Sequence, residues 1–384
     1  MKPSSECNFP SPGVQPISRR PNAGWAHLRN VQTKGMRARC PRSLEEASLH
    51  LSEMRRAGFT ILEVLVSTLV LAFLVVLLAG ITDRLSDIWK KTAGSIVQWQ
   101  SARSGFEAMN RRISQATLNT TWAYYDGPNG TGNLTSSDPI SYGRSSALHF
   151  LSGPASVLIP SVPDTTTQVI FFQAPLGRTT ETAVRGLPQI LNACGYFVQF
   201  NDSLSFRPPG ALPQSIPGRK RFRLMEWTQD SSELTVQSSA GNAWLQSAGS
   251  RARPMAENVI ALIIRAKFSR FDTSDENVLA PAYRYNSRES RAFSGGGISG
   301  NTLHQLPPVL QLTMVAIDER SAVRLEQQNG NAVPAGLFTG APFTLASAYQ
   351  SDMERLEANL VAARLDYRIF SATILIRGAK WNGD

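Results

Sequence analysis

Residues 59–81 read FTILEVLVSTLVLAFLVVLLAGI, a run of twenty-three residues in which Glu63 is the single ionisable side chain. At 1.5 Å per residue a helix of this length measures roughly 34 Å, enough to cross a hydrocarbon layer of about 30 Å. Arg55 and Arg56 stand immediately before it and favour a cytoplasmic N-terminus, which places everything after Ile81 on the outer side. Asp83, Arg84, Asp87, Lys90 and Lys91 nearly balance beyond the run, so the orientation rests on the arginine pair.

Glu63 is the anomaly of this stretch. A carboxylate inside a spanning helix costs roughly 2.5–3.5 kcal/mol on insertion scales, so an acid there is a functional candidate by default. It lies close enough to the start of the run to reach the interface. Alternatively it pairs with a cation at the same depth. Cleavage between Gly58 and Phe59 would create one, the new α-amino group of Phe59.

Arg55-Arg56-Ala57-Gly58, followed by Phe59-Thr60-Ile61-Leu62-Glu63 and the apolar run, closely resembles the processing site of type IV prepilins and type II secretion pseudopilins. The resemblance implies that a prepilin peptidase cuts after Gly58 and that Phe59 becomes the N-methylated terminus. It also implies that Glu63 registers each subunit against a neighbour's N-terminus. Two other readings of the stretch remain. A secretory signal peptide has a shorter apolar region, about 7–15 residues, and a small-residue cleavage site, for which Leu78-Ala79-Gly80 is a poor match. A plain single-span anchor would share the motif by accident.

Residues 1–58 are then a leader. Residues 1–53 hold several prolines and no convincing apolar period, although SLEEASLHLSEM could form a short helix. Translation starting at Met54, or at Met36, in place of Met1 would leave a short leader of the expected kind. From either start this segment would be absent from the mature protein.

The formal charge of +10 suggests a nucleic-acid binder until it is located. Residues 1–58 hold ten Lys/Arg against four Asp/Glu, and residues 59–384 hold 29 against 25. The basicity is concentrated in the leader, so no nucleic-acid footprint follows for the remainder. Of three cysteines, Cys7 and Cys40 would leave with the leader and Cys194 would remain alone. His27, His50, His149 and His304 show no ligand-like spacing, so no metal or cofactor is expected.

Beyond the apolar segment 59–81, Ile81, Leu85, Ile88, Ile96, Trp99, Phe106, Met109 and Ile113 recur at a three/four alternation. That spacing predicts an amphipathic continuation over 82–116, its stripe packed on the following domain, with Trp89 and Trp99 part of the helix. Gly94 and Gly105 mark potential bends. Asn119 to Tyr142 reads as an exposed loop. Strands are expected at Ala147–Leu151, Gln168–Gln173, Gly195–Asn201, Arg219–Trp227 and Glu233–Gln237. Pro208, Pro209, Pro213 and Pro217 mark a connection. Glu257–Phe268 fits helix or strand by period alone, and its Val and Ile content favours a strand entered through a short turn; Phe293–Gly300 is expected as a mobile loop. Val309–Asp318 is the clearest strand. Asp352–Arg364 is expected as a helix with Met353, Leu356, Leu360 and Val361 on one side, and Leu365–Arg377 as a final β run. The fold class expected is α+β, with a long N-terminal helix packed on an antiparallel β-rich domain at 117–384.

The order of long helix, β-rich body and late ENVIALIIRAKF and PPVLQLTMVAID strands resembles a J-type minor pseudopilin. The ending YRIFSATILIRGAKW is similar to the Verru_Chthon cassette protein C family of Verrucomicrobia. Few residues suggest other chemistry. Asp272, Asp275 and Glu276 could bind calcium, but the spacing of a calcium loop is missing and a solvated turn explains them. Ser294 precedes three glycines without a nucleophile elbow, and His149 and His304 sit in strand-like surroundings. The chain is therefore expected to be no enzyme but an inner-membrane, single-pass subunit with a periplasmic C-terminal domain. Its partners would be prepilin peptidase, other prepilin-type subunits and inner-membrane lipid. The competing class is a monomeric surface-binding module that uses the prepilin route only for export; a tethered hydrolase is more distant.

Overall fold

One helix, α1, runs from Ile61 to Ile113 and accounts for the whole apolar segment and most of its expected continuation. The computed structural model describes residues 60–128, 132, 138–207, 218–237, 241–268, 279–295, 298–330 and 332–380. Gly58, Phe59, the start methionines, the prolines at 208–217 and the acidic loop of Asp272, Asp275 and Glu276 lie outside the described residues. The chain divides into two units, 1–69 and 70–384. Of the first, the described part is Thr60 and the opening turns of α1.

Ala102, Phe106, Met109 and Ile113 of α1 are buried at three- and four-residue spacing, and Trp99 is half-buried. Ile81, Leu85, Ile88 and Ile96 keep the same period but are exposed. The expected stripe is therefore covered only from about Gln98 onward, where the helix meets the body. Helical structure continues through Gly94 and Gly105. Gly105 serves close approach: a Cβ there would stand 3.3 Å from the Ala256 Cβ.

The expected loop after α1 contains a hairpin, β1 (Thr121–Tyr125) with β2 (Ser141–Ser145), whose aromatic residues pair across the strands. Trp122 stacks on Tyr142 at 5.1 Å, a pairing that the polar composition of the stretch conceals. β3 (Leu151–Pro154) starts later than expected, because the preceding N–H groups bond side chains and not a strand ladder. His149 N donates to Gln173 Oε1 and Phe150 N to Ser287 Oγ, each at 2.9 Å. A single turn, α2 (Ala155–Leu158), leads to β4 (Thr165–Pro175), β5 (Leu191–Asp202) and β6 (Lys220–Gln229). The expected strand at Glu233–Gln237 is absent. Ser231–Glu233 forms a 3-10 turn, and the Gln229 side chain donates to the Glu233 carbonyl.

A short turn, α3 (Ala248–Arg251), precedes β7 (Arg253–Glu257) and β8 (Val259–Lys267). Asn258, at φ 60, makes the expected tight entry into β8. β9 (Tyr285–Asn286) follows, then β10 (Ala292–Gly295) and β11 (Ile298–Asn301), an antiparallel pair in place of the expected loop. β12 (Val309–Ile317) is as expected. The helix after it, α4 (Glu319–Asn329), was not expected, although Asp318 caps it by accepting from Ser321 N at 2.8 Å. The end of the chain holds α5 (Tyr349–Ala362) and β13 (Tyr367–Leu375). Met353, Leu356 and Leu360 face inward as expected, whereas Val361 is exposed because it lies round the helix from that stripe.

The strands form an antiparallel six-stranded sheet in the order β7-β6-β5-β4-β3-β9 and an antiparallel three-stranded sheet in the order β13-β12-β8. Strand parity gives the larger sheet two apolar faces. Phe171 and Trp227 lie on one, with Trp244 packed at 5.8 Å from Trp227. Tyr196 and Glu226 lie on the other, where Arg112 of α1 bonds the tyrosine hydroxyl at 3.3 Å and pairs with the glutamate. α1 meets the smaller sheet through Phe106 on Phe370 at 6.1 Å and Arg368 over the Trp99 ring at 5.1 Å. Buried Arg223 bonds Glu257 and Asn201, and Arg221 bonds Glu319 and Glu326, so both guanidiniums keep counter-charges.

Gly195 is where the larger sheet is tightest. A Cβ there would fall within 2.3 Å of the buried Phe171 ring, which Phe197, Trp227 and Trp244 hold in place. Gly195→Ala should therefore lower the unfolding free energy by about 1–3 kcal/mol, read as a fall in the urea midpoint.

Candidate functional site

Thr60 and Glu63 open α1 in a T-x-x-E arrangement. The Glu63 N–H donates to the Thr60 carbonyl at 3.0 Å and lies 3.3 Å from the Thr60 hydroxyl, which caps the helix. Glu63 is thus the third helical residue, where a carboxylate complements the helix dipole, although its side chain returns no bond to Thr60. This local role was missed from the sequence, although the pattern was legible.

The polar side chains that follow are satisfied within the helix. Ser67 Oγ donates to the Glu63 carbonyl at 2.7 Å, Thr68 Oγ1 to Leu65 at 2.9 Å and Thr82 Oγ1 to Leu78 at 2.8 Å. The Glu63 carboxylate differs. It is exposed, and among the described residues it has no hydrogen-bond or ion-pair partner. Ile61–Ser86 is long and apolar enough to span a membrane, and its large apolar side chains are exposed.

Other candidates take structural places. His149 is buried, with Nδ1 accepting from Trp244 Nε1 at 3.1 Å, so its proton sits on Nε2 and is donated to Asn286 Oδ1 at 2.7 Å. Burial, with Arg288 nearby, holds its pKa down to about 4 despite the Asn286 bond. Burial likewise pushes the Cys194 thiol up to about 11, which leaves it without thiolate character at neutral pH. His304 is at φ 54, and its pKa is lowered by burial and by Arg288. Trp89 and Trp99 both lie on α1. Among the described residues, no three His, Cys, Asp or Glu side chains gather as a metal site.

A polar cleft of about 1020 Å³ opens between the 205–207 and 250–254 segments. Two of its carboxylates are engaged: Glu226 with Arg112 and the Tyr196 hydroxyl, and Glu233 with Arg251. No family model, curated protein or solved structure matches this chain.

The His149 network makes stability depend on pH. The ring is neutral when folded down to about pH 4 but protonates near 6.5 when unfolded. Its contribution is therefore fully present above about pH 6.5 and is lost as pH falls toward 4, a change on the order of 3 kcal/mol. Urea midpoints measured between pH 7 and 4.5 should fall in that window, and His149→Gln should flatten the slope.

Proposed function

We propose that the chain is a prepilin-type structural subunit that works by assembly, not by catalysis. It is stored in the inner membrane through the apolar half of α1, with the N-terminus cytoplasmic and the C-terminal domain periplasmic. A prepilin peptidase cuts between Gly58 and Phe59 and methylates the Phe59 amine. Glu63 then pairs with such an amine on a neighbouring prepilin-type subunit in a pseudopilus-like or type II secretion-like complex. The observation that carries this reading is the lone Glu63 carboxylate, the one polar side chain of Ile61–Ile81 that the helix itself leaves without a bond. Apolar packing supplies the attraction between helices, and the charge pair sets their register.

A second reading, a membrane-anchored surface-binding module, is supported by the exposed aromatic row of Trp122, Tyr142 and Tyr124 on the β1–β2 hairpin. Co-purification with other prepilin-type proteins separates the two.

The N-terminal peptide mass of protein extracted from native membranes is the direct test. A peptide beginning at Phe59 with one added methyl group is expected. An intact leader or a cut near Ala79 would end the assembly reading.

Glu63→Gln separates the two roles of that carboxylate. Glutamine keeps the capping pattern and the length of the side chain but removes the charge. The variant should insert normally, yet enter assemblies at least about tenfold less well, as crosslinking to neighbours would measure. Normal incorporation would leave Glu63 only its local capping role.

A further inference from the structure

β13 is a long free edge of the three-stranded sheet. The ends of the larger sheet are blunted: β7 carries Pro254 and a register shift, and β9 is two residues long. From Ile369 to Leu375 β13 reads IFSATIL, without charge, proline or glycine. Ile369, Ser371, Thr373 and Leu375 are exposed. Every second residue turns its N–H and C=O away from β12, toward no strand among the described residues. A groove of about 390 Å³ runs beside this strand, bounded by Ile369–Ala372 and by Arg103, Phe106, Glu107 and Asn110 of α1. The Asn110 Oδ1 has no hydrogen-bond partner.

We infer that β13 accepts an extended segment of a different protein as an added strand, one with an uncharged, alternating centre and acidic ends. The acidic ends follow from charge: Arg368 and Arg377, both exposed, bracket the neutral stretch. Main-chain hydrogen bonds supply affinity in such additions, and alternate side chains with the flanking charges supply selectivity.

A second copy of this chain fits the edge poorly. α1 follows β13 in the same direction, with Trp99 at Arg368, Phe106 at Phe370 and the Ser114 carbonyl accepting from Arg377 N at 3.2 Å. Antiparallel pairing of two β13 strands would therefore direct two α1 helices oppositely, so their apolar halves could not enter one membrane side by side. That step rests on the reading that α1 anchors the chain. Parallel pairing would keep the helices together but bring Arg368 near its own copy and Arg377 near its own, which is unfavourable.

The test uses the full chain in lipid nanodiscs and a short synthetic peptide alternating valine and threonine, with glutamates at both ends. Binding is read by fluorescence anisotropy and by amide hydrogen exchange. The glutamate-ended peptide should bind and slow exchange in β13, and the same peptide with lysine ends should bind about tenfold more weakly or worse. Arg377→Glu, at an exposed side chain, should narrow or reverse that preference. Absence of binding, equal binding of the two peptides or protection outside β13 would overturn the inference. So would β13 amides already protected in a peptide-free oligomer, which would assign the edge to a second copy. None of these outcomes depends on cleavage after Gly58 or on the charge of Glu63.

Discussion

An apolar helix surface has to be covered, and α1 has two kinds of cover along one continuous rod. Ala102, Phe106, Met109 and Ile113 are buried with the body's own core, whereas Ile61 to Val97 expose their large apolar side chains. Burial of one Val, Leu or Ile side chain is worth roughly 1.5–3 kcal/mol, so an uncovered run of this length could not persist in water. Lipid covers such a surface without selecting a partner, and neighbouring helices cover it by packing. The hydroxyls of Ser67 and Thr68 are compatible with either because each returns to a carbonyl of its own helix.

Glu63 has a place in the first turn of α1 and, in the proposed assembly, a second one between subunits. It lies where the first turn of α1 has N–H groups to satisfy, so it favours the start of the helix before any assembly occurs. In the proposed assembly the same carboxylate faces a neighbour's amine. The positive end of the helix dipole, and not a hydrogen bond of its own, eases the cost of an acid at that depth. The two roles are compatible because the capping bond uses the Glu63 N–H and leaves both carboxylate oxygens without a partner among the described residues.

The apolar run of α1 was legible from its length, and the strands β4, β5, β6, β8, β12 and β13 from β-branched and aromatic residues bounded by turn formers. What escaped was set by tertiary context. The β1–β2 hairpin is hidden by a polar, glycine-rich sequence because Trp122, Tyr124 and Tyr142 pair only across strands. Strand formation at Ala147–Phe150 lost to side-chain acceptors from Gln173 and Ser287, which no local pattern announces. α4 carried a readable cap in Asp318 and a terminator in Gly330, but Ala322, Val323 and Leu325 are its only apolar residues, too few to mark it as a core helix. At the candidate site, the lone acid in an apolar run was plain from the sequence. Its capping partner and the self-satisfied hydroxyls around it required the helix geometry.

The way α1 lies along β13 has a mechanical consequence. A load drawn along the helix toward its apolar end reaches the body through Trp99, Phe106, Arg112 and the Ser114 carbonyl, spread over several turns. Because helix and strand run in the same direction, such a load shears these contacts in parallel; it does not peel them one after another. Contacts loaded together share the force.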